Sequence, residues 1–295
     1  MRFNPQLKLL KHKEFYDYIS GKKTYPISVE ISLTGYCDAN CDWCFYKGHE
    51  IREHIKTETI INTIKTLKKL GLKSIAWTGG GEPTLHPEFK KITEYVYNLG
   101  LEQGLFTNAL GKINYDPKLF KWIRVSKTNM KFNLDNLKTL RECDTLGICI
   151  NYKNSLYNDV LDIIKNVNDH VDYIQIRPIL KCNGELTSTA MPDIVHPKVK
   201  LTKYKFDECN VSHTYTKCEG HNFIPFIWHD GDVTPCAYMK NIYNAGNLYK
   251  QNIKFILNKM PKTYDVLPTC QQCCKNNEIN KLLANIKKLE DVNFP

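Results

Sequence analysis

The chemistry-bearing residues of this chain are its clustered cysteines, twelve in 295 residues. Cys37, Cys41 and Cys44 stand as Cys-x3-Cys-x2-Cys in one short loop. Three thiolates so spaced can hold three irons of a 4Fe–4S cube. The fourth iron then lacks a protein ligand, and an open coordination position is where substrate chemistry happens. A zinc site or a disulfide pair is the plainer use of cysteine. Zinc, however, normally takes four ligands in two pairs, and this loop offers three.

A second run, Trp77-Thr78-Gly79-Gly80-Gly81-Glu82-Pro83, has glycines that let backbone approach a ligand closely. A third group is Cys218-x12-Gly231-x4-Cys236 followed by Cys270-x2-Cys273, with Cys274 adjacent. Residues 226–233 read as a hairpin with Asp230-Gly231 at its turn, which would bring Cys218 and Cys236 together. Four cysteines in two pairs suit zinc or a fully ligated 4Fe–4S cluster, and spacing alone does not separate the two.

These motifs need elements to position them. Period-two alternation predicts strands at Ile27–Leu33, Lys73–Trp77, Leu101–Thr107, Trp122–Ser126, Leu146–Tyr152 and Tyr173–Ile179. Between them lie amphipathic helices. One runs Thr57–Leu70 with Gly71 as its stop; one follows Pro87 as first residue and ends before Gly100; one is capped by Ser155. A further short helix is expected over Asn280–Leu289. Repeated strand–helix alternation implies a parallel sheet, and ligands then sit at the C-terminal strand ends. The cysteine loop follows the first strand and the glycine run follows the second.

Several strands carry polar residues on one face: Ser28, Glu30 and Ser32; Arg124 and Ser126; Asn151 beside Cys149; Gln175 and Arg177. A buried parallel strand is usually apolar on both faces. Polar residues aimed inward predict a lumen that holds a polar ligand.

A formal net charge of +10 favours anionic partners, or is a solvated lysine surface. No dense basic run with interleaved aromatics marks a nucleic-acid groove. No apolar h-region opens the chain, and no stretch approaches the length of a membrane span. A soluble, cytoplasmic protein is expected, and in a reducing compartment cysteines serve metal or redox chemistry.

Cys-x3-Cys-x-aromatic-Cys after the first strand, with Trp43 as the aromatic, resembles the radical S-adenosylmethionine (SAM) superfamily. The Gly-Gly-Glu-Pro run one strand downstream strengthens the likeness. The resemblance implies an enzyme of α/β class, a partial (β/α)6 TIM-like barrel with a small C-terminal auxiliary-cluster domain. It implies SAM contacts at Gly80, Gly81 and Glu82. Thr107-Asn108-Ala109 resembles the family's Thr-Asn-Gly; Ser126 and Asn151 stand where cofactor and ribose contacts are expected. The third cysteine group resembles the SPASM/Twitch subgroup. Without further cysteines beyond Cys274, it matches the shorter Twitch form with one auxiliary 4Fe–4S cluster. Cys218, Cys236, Cys270 and Cys273 are its expected ligands, with Cys274 the alternative.

The implied organisation is an N-terminal extension (1–25), the barrel (26–182), a linker or loop (183–215), the auxiliary domain (216–280) and a C-terminal helix and tail (281–295). The implied chemistry is reductive cleavage of SAM to a 5′-deoxyadenosyl radical, which abstracts a substrate hydrogen. An external one-electron donor such as flavodoxin or ferredoxin would serve it, and the auxiliary cluster would favour net oxidation. Arg124, Lys153 and Arg177, expected at strand ends, are candidates to clamp a phosphate or carboxylate. They lean toward a nucleotide, sugar or aminocyclitol substrate. Cys149 and Cys182 are candidates to return a hydrogen atom, which would give epimerisation, although free cysteine also serves as a small buried hydrophobe.

Peptide modification is the rival within the family. Its enzymes often carry a leader-binding domain, for which the roughly 25 residues before the first strand are too few. Molybdenum-cofactor cyclases differ in using three auxiliary cysteines and a Gly-Gly terminus, where this chain ends Asn293-Phe294-Pro295. A non-enzymatic zinc- or cluster-binding protein is the alternative of another class.

Overall fold

A computed structural model describes residues 5–41, 44, 46, 52–127, 133–179, 190–201, 213–267, 270 and 276–290. Six parallel strands form its body: β1 (Ser28–Ser32), β2 (Ser74–Thr78), β3 (Glu102–Thr107), β4 (Trp122–Lys127), β5 (Leu146–Tyr152) and β6 (Tyr173–Pro178). They pair in sequence order, as right-handed strand–helix–strand units do. The covering helices include α3 (Thr57–Lys69), α4 (Phe89–Asn98), α5 (Leu134–Leu140) and α6 (Tyr157–Val167); the first two helices are α1 (Pro5–Leu9) and α2 (Lys13–Ile19).

The two faces of the sheet divide sharply. Val29, Ile31, Ile75, Leu105, Ile123, Ile148, Ile150, Ile174 and Ile176 point toward the helices and share one core with Ile60, Ile64, Ile92, Val96, Val160 and Ile163. Burying each such side chain stabilises the fold by about 1.5–3 kcal/mol. The opposite face carries Ser28, Glu30, Arg124, Ser126, Asn151, Gln175 and Arg177, which are only partly buried. That face is the expected polar lumen.

Three details differ from the sequence reading. Asn154–Leu156 forms a 3-10 turn, so α6 begins at Tyr157 and Ser155 is not its cap. Glu88 is the residue that enters α4, so Pro87 precedes the helix. The stretch read as a linker contributes a short parallel strand, β7 (Val199–Leu201), beside β6.

At the other edge, β9 (Phe226–Ile227) pairs parallel with β1, and the sheet continues through β10 (Asp232–Thr234) and β11 (Gly246–Asn247). The β9–β10 hairpin turns at Gly231, whose φ is +84°. Between and beyond these lie β8 (Lys217–Cys218), paired with β12 (Tyr264–Asp265), and helices α7 (Ile253–Lys259) and α8 (Asn277–Lys287). The last helix thus starts three residues earlier than expected. It packs with the N-terminal helices: Leu9, Phe15, Phe223, Ile279 and Leu283 form one cluster. No helix among the described residues is long and apolar enough to cross a membrane.

Candidate functional site

The loop leaving β1 carries Cys37, Cys41 and Cys44, all free thiols. The loop leaving β2 is fitted against it. A Cβ on Gly81 would stand 2.0 Å from Tyr36 O, so only glycine allows the two backbones this close. Glu82 N–H donates to Tyr36 O at 2.8 Å, directly before Cys37.

Glu82 then ties in the loop leaving β3. Its Oε1 accepts from Thr107 Oγ1 (2.7 Å) and Thr84 Oγ1 (2.8 Å), and its Oε2 accepts from Asn108 N (2.7 Å). Thr84 N adds a longer bond at 3.3 Å. Burial pushes the Glu82 carboxyl up and these donors oppose the shift. Charge-assisted bonds of this kind contribute about 1.5–3 kcal/mol each. Expected as a SAM contact, Glu82 has both oxygens taken by the protein's own donors. Asn108 Nδ2 donates to Asp38 Oδ1 at 2.6 Å and lies 3.9 Å from Cys37 Sγ. Three strand-exit loops are therefore locked into one unit at the mouth of the lumen.

Solvent reaches Cys37, yet loss of water on its inner side pushes the thiol up; an Ala39 backbone bond opposes this, while Glu82, Asp38 and Cys44 add to the rise. Thiols and carboxylates that destabilise one another's charged forms become favourable ligands once a cation is present. That chemistry fits an iron–sulfur cluster. Among the described residues, no three His, Cys, Asp or Glu side chains converge as ligands of one metal ion.

Inside the lumen the register sets layers. Arg124 is level with Gly147 and Tyr173, Ser126 with Cys149 and Gln175, and Asn151 with Arg177. Arg124 therefore lies in the layer where β6 begins, not at a strand exit as expected. Its Nε donates to Tyr173 OH at 3.0 Å, and its guanidinium lies 5.1–5.9 Å from the rings of Phe106, Trp122 and Tyr173. Arg177 is at the mouth, donating from Nε to Asn151 Oδ1 at 2.8 Å. Two residues expected to touch different parts of a ligand are thus paired. Lys153 is exposed past the end of β5. Cys149 is 2% exposed and on the lumen face. Trp43, Cys182, Cys273 and Cys274 lie outside the described residues.

Two lumen-side residues escaped the sequence reading. Tyr46 follows the cysteine loop and packs edge-on against Trp228 at 5.7 Å between ring centres, beside Gly79. Burial first, and then the Glu30 charge, push its hydroxyl well above the ordinary value. His229, just past β9, is buried under Gly80. A histidine in a Trp-His-Asp-Gly turn gives no sequence signal of that placement.

Cys218, Cys236 and Cys270 lie around Tyr264. Cys218 pairs with Tyr264, whose ring shares an apolar cluster with Cys236 and Cys270. Burial pushes the Cys270 thiol up, with the Cys218 charge adding to the rise. Asn280 Nδ2, on α8, donates to Cys218 Sγ at 3.3 Å.

Comparison with known proteins follows the same division of the chain. The model of the Radical SAM superfamily matches residues 31–177, and that of an iron–sulfur cluster-binding domain, SPASM, matches residues 218–276. A S-adenosylmethionine-dependent nucleotide dehydratase of Selenomonas ruminantium is 30% identical over 45% of the chain and 47% of its own length. A probable GTP 3′,8-cyclase of Methanococcus aeolicus is 26% identical over 52% of the chain and 60% of its own. The matched part is less than two-thirds of either relative. Among solved structures, Streptococcus suis SuiB bound to precursor peptide SuiA superposes with a TM-score of 0.65 at 14% identity, covering 84% of this chain and 68% of that one. That likeness is one of fold.

Proposed function

Since the chain belongs to the radical S-adenosylmethionine superfamily and carries a SPASM iron–sulfur cluster-binding domain, we propose that it is an enzyme that cleaves SAM reductively and takes a hydrogen atom from a small anionic substrate of nucleotide type. The observation that carries this reading is the locked unit of loops at the lumen mouth, with Cys37 on one loop, Gly79–Glu82 on the next and Asn108 bridging them. Cys37, Cys41 and Cys44 would hold three irons of a 4Fe–4S cluster there. That cluster, with SAM bound, would supply a 5′-deoxyadenosyl radical.

The remaining work belongs to the protein. Gly79, Gly80 and Gly81 pack their bare backbone against Tyr46, Ser32, His229 and Tyr36, and the peptide groups of this loop would meet the methionine end of SAM. Thr107, Asn108, Ser126 and Asn151 line the path inward. Arg177 presents its guanidinium at the mouth for a phosphate or carboxylate. Phe106, Trp122 and Tyr173 pack around Arg124 at the floor. Cys218, Cys236, Cys270 and either Cys273 or Cys274 would hold a second cluster, and a flavodoxin or ferredoxin would be the electron donor. The nucleotide class is supported by the two relatives, a nucleotide dehydratase and a GTP cyclase by name, and by the lumen arginines.

The test is anaerobic reconstitution with iron and sulfide, then dithionite and SAM with and without nucleoside triphosphates. About eight irons per chain are expected for two cubane clusters. 5′-Deoxyadenosine is expected to form, to rise with a nucleotide and to vanish in Cys41→Ala. Intact clusters without 5′-deoxyadenosine under any nucleotide would reject the nucleotide reading, and stimulation by a peptide alone would replace it.

A further inference from the structure

Gly80 rests on two buried side chains from different parts of the chain. A Cβ built there would stand 2.5 Å from Ser32 Oγ and 2.7 Å from His229 Nδ1. Ser32 ends β1 and is 0% exposed; His229 follows β9 and is 2% exposed. Ser32 Oγ and His229 Nδ1 are 3.1 Å apart. Ser32 Oγ also lies within reach of Thr34 O, at 3.3 Å. The same oxygen is within hydrogen-bond reach of His229 Nδ1, with the direction set by the ring tautomer.

The hairpin is held rigidly where it makes this contact. Strand β9 is zipped to β1 at Glu30–Phe226 and Ile31–Ile227. Trp228 N–H donates to Asp232 O at 2.8 Å, and the indole Nε1 donates to Thr234 Oγ1 at 2.9 Å. Thr234 Oγ1 in turn donates to Cys236 O at 2.9 Å. A chain of short contacts thus runs from the C-terminal cysteines, through the hairpin, to the underside of the glycine loop.

We propose that His229 is a positioning residue for SAM: with Ser32 it forms the platform that sets the height of Gly80, so the C-terminal module tunes SAM affinity at a site it does not line. The inference rests on the reading of Gly79–Glu82 as the SAM cradle. Removing the imidazole takes the hydrogen-bond partner of Ser32 from beneath Gly80, and the loop can then sag. Linkage makes the effect reciprocal, so SAM must also steady the hairpin.

The test uses the full chain with clusters reconstituted, oxidised so that SAM binds without being cleaved. Labelled SAM is titrated by equilibrium dialysis against wild type, His229→Leu and His229→Asn. The expected result is a loss of affinity of about tenfold or more in His229→Leu, the scale of a lost outer-shell contact. Iron content should stay close to wild type. His229→Asn should recover most of the affinity, because its amide can offer Ser32 Oγ either a donor or an acceptor near the Nδ1 position. Bound SAM should also slow hydrogen exchange over residues 226–234. Wild-type affinity in His229→Leu would overturn the proposal. If that variant fails to load its clusters, Ser32→Ala tests the same platform by removing only a hydroxyl, and wild-type affinity there would overturn it equally. Wild type that binds no SAM would overturn the premise as well, which separates the two failures.

Discussion

Ala109 is the only described non-glycine residue with a positive φ, at +53°. The left-handed region costs an L-residue roughly 1–2 kcal/mol. What holds it there is the loop network: Ala109 N–H donates to Thr107 Oγ1, and Asn136 Nδ2 donates to Ala109 O. Thr107 Oγ1 is itself anchored on Glu82. Glycine at 109 would relieve the strain, but would lose a buried methyl worth about 0.8 kcal/mol and gain freedom when unfolded. Ala109→Gly should therefore stay within about 1 kcal/mol of wild type. Ala109→Val adds a branched side chain to the same φ and should lose more than about 2 kcal/mol. Urea denaturation of both variants checks this, and a Val variant as stable as wild type would sink the strain argument. Thr107-Asn108-Ala109 stood out in the sequence because the resembled pattern has glycine at this place. That the alanine adopts the glycine conformation could be learned only from the folded loop. The role of Glu82 was less legible, since a Gly-Gly-Glu run does not say whether the carboxylate faces a ligand or its own loops.

At the scale of elements, two mid-strand glycines shape the lumen floor. A Cβ on Gly104 of β3 would stand 2.0 Å from the Trp122 ring, and one on Gly147 of β5 would stand 2.1 Å from the Tyr173 ring. Each aromatic ring lies flat across a neighbouring strand that has no side chain to lift it. Gly104→Ala or Gly147→Ala must displace a ring that cages Arg124, and overpacking of this kind costs about 1–3 kcal/mol. If the ring is the cause, Gly104→Ala combined with Trp122→Leu should be less destabilised than the sum of its parts. Strict additivity in that double-mutant cycle would refute the contact. The six strands were readable because alternation is local, and the structure keeps them within a residue or so. The pairing of β9 with β1, and the edge strand β7, were not readable. Each is two or three residues long, and each pairs with residues that sequence distance does not constrain.

At the scale of the whole molecule, the hairpin of the second cysteine module extends the sheet of the first. Ile227, Val233, Leu248 and Ile256 belong to the same core cluster as Val29, Ile31 and Trp77. The chain ends meet as well: Gln6 Nε2 donates to Glu278, and Tyr18 OH donates to Glu219 Oε2 at 2.5 Å, with Lys287 also on Glu219. Without the hairpin, β1 would present an unpaired edge bearing Val29 and Ile31, which is a site for misassociation. The apolar core therefore runs on from the barrel strands into the hairpin. Unfolding should be a single cooperative transition, with far-UV circular dichroism and tryptophan fluorescence giving the same midpoint in urea. Hydrogen exchange should report the same opening free energy for Ile227 and Val233 in the hairpin as for Ile31 and Ile148 in the barrel. A hairpin that opens several kcal/mol below the barrel would show that β9 merely leans on β1. The platform under Gly80 would then be too loose to set the height of the glycine loop.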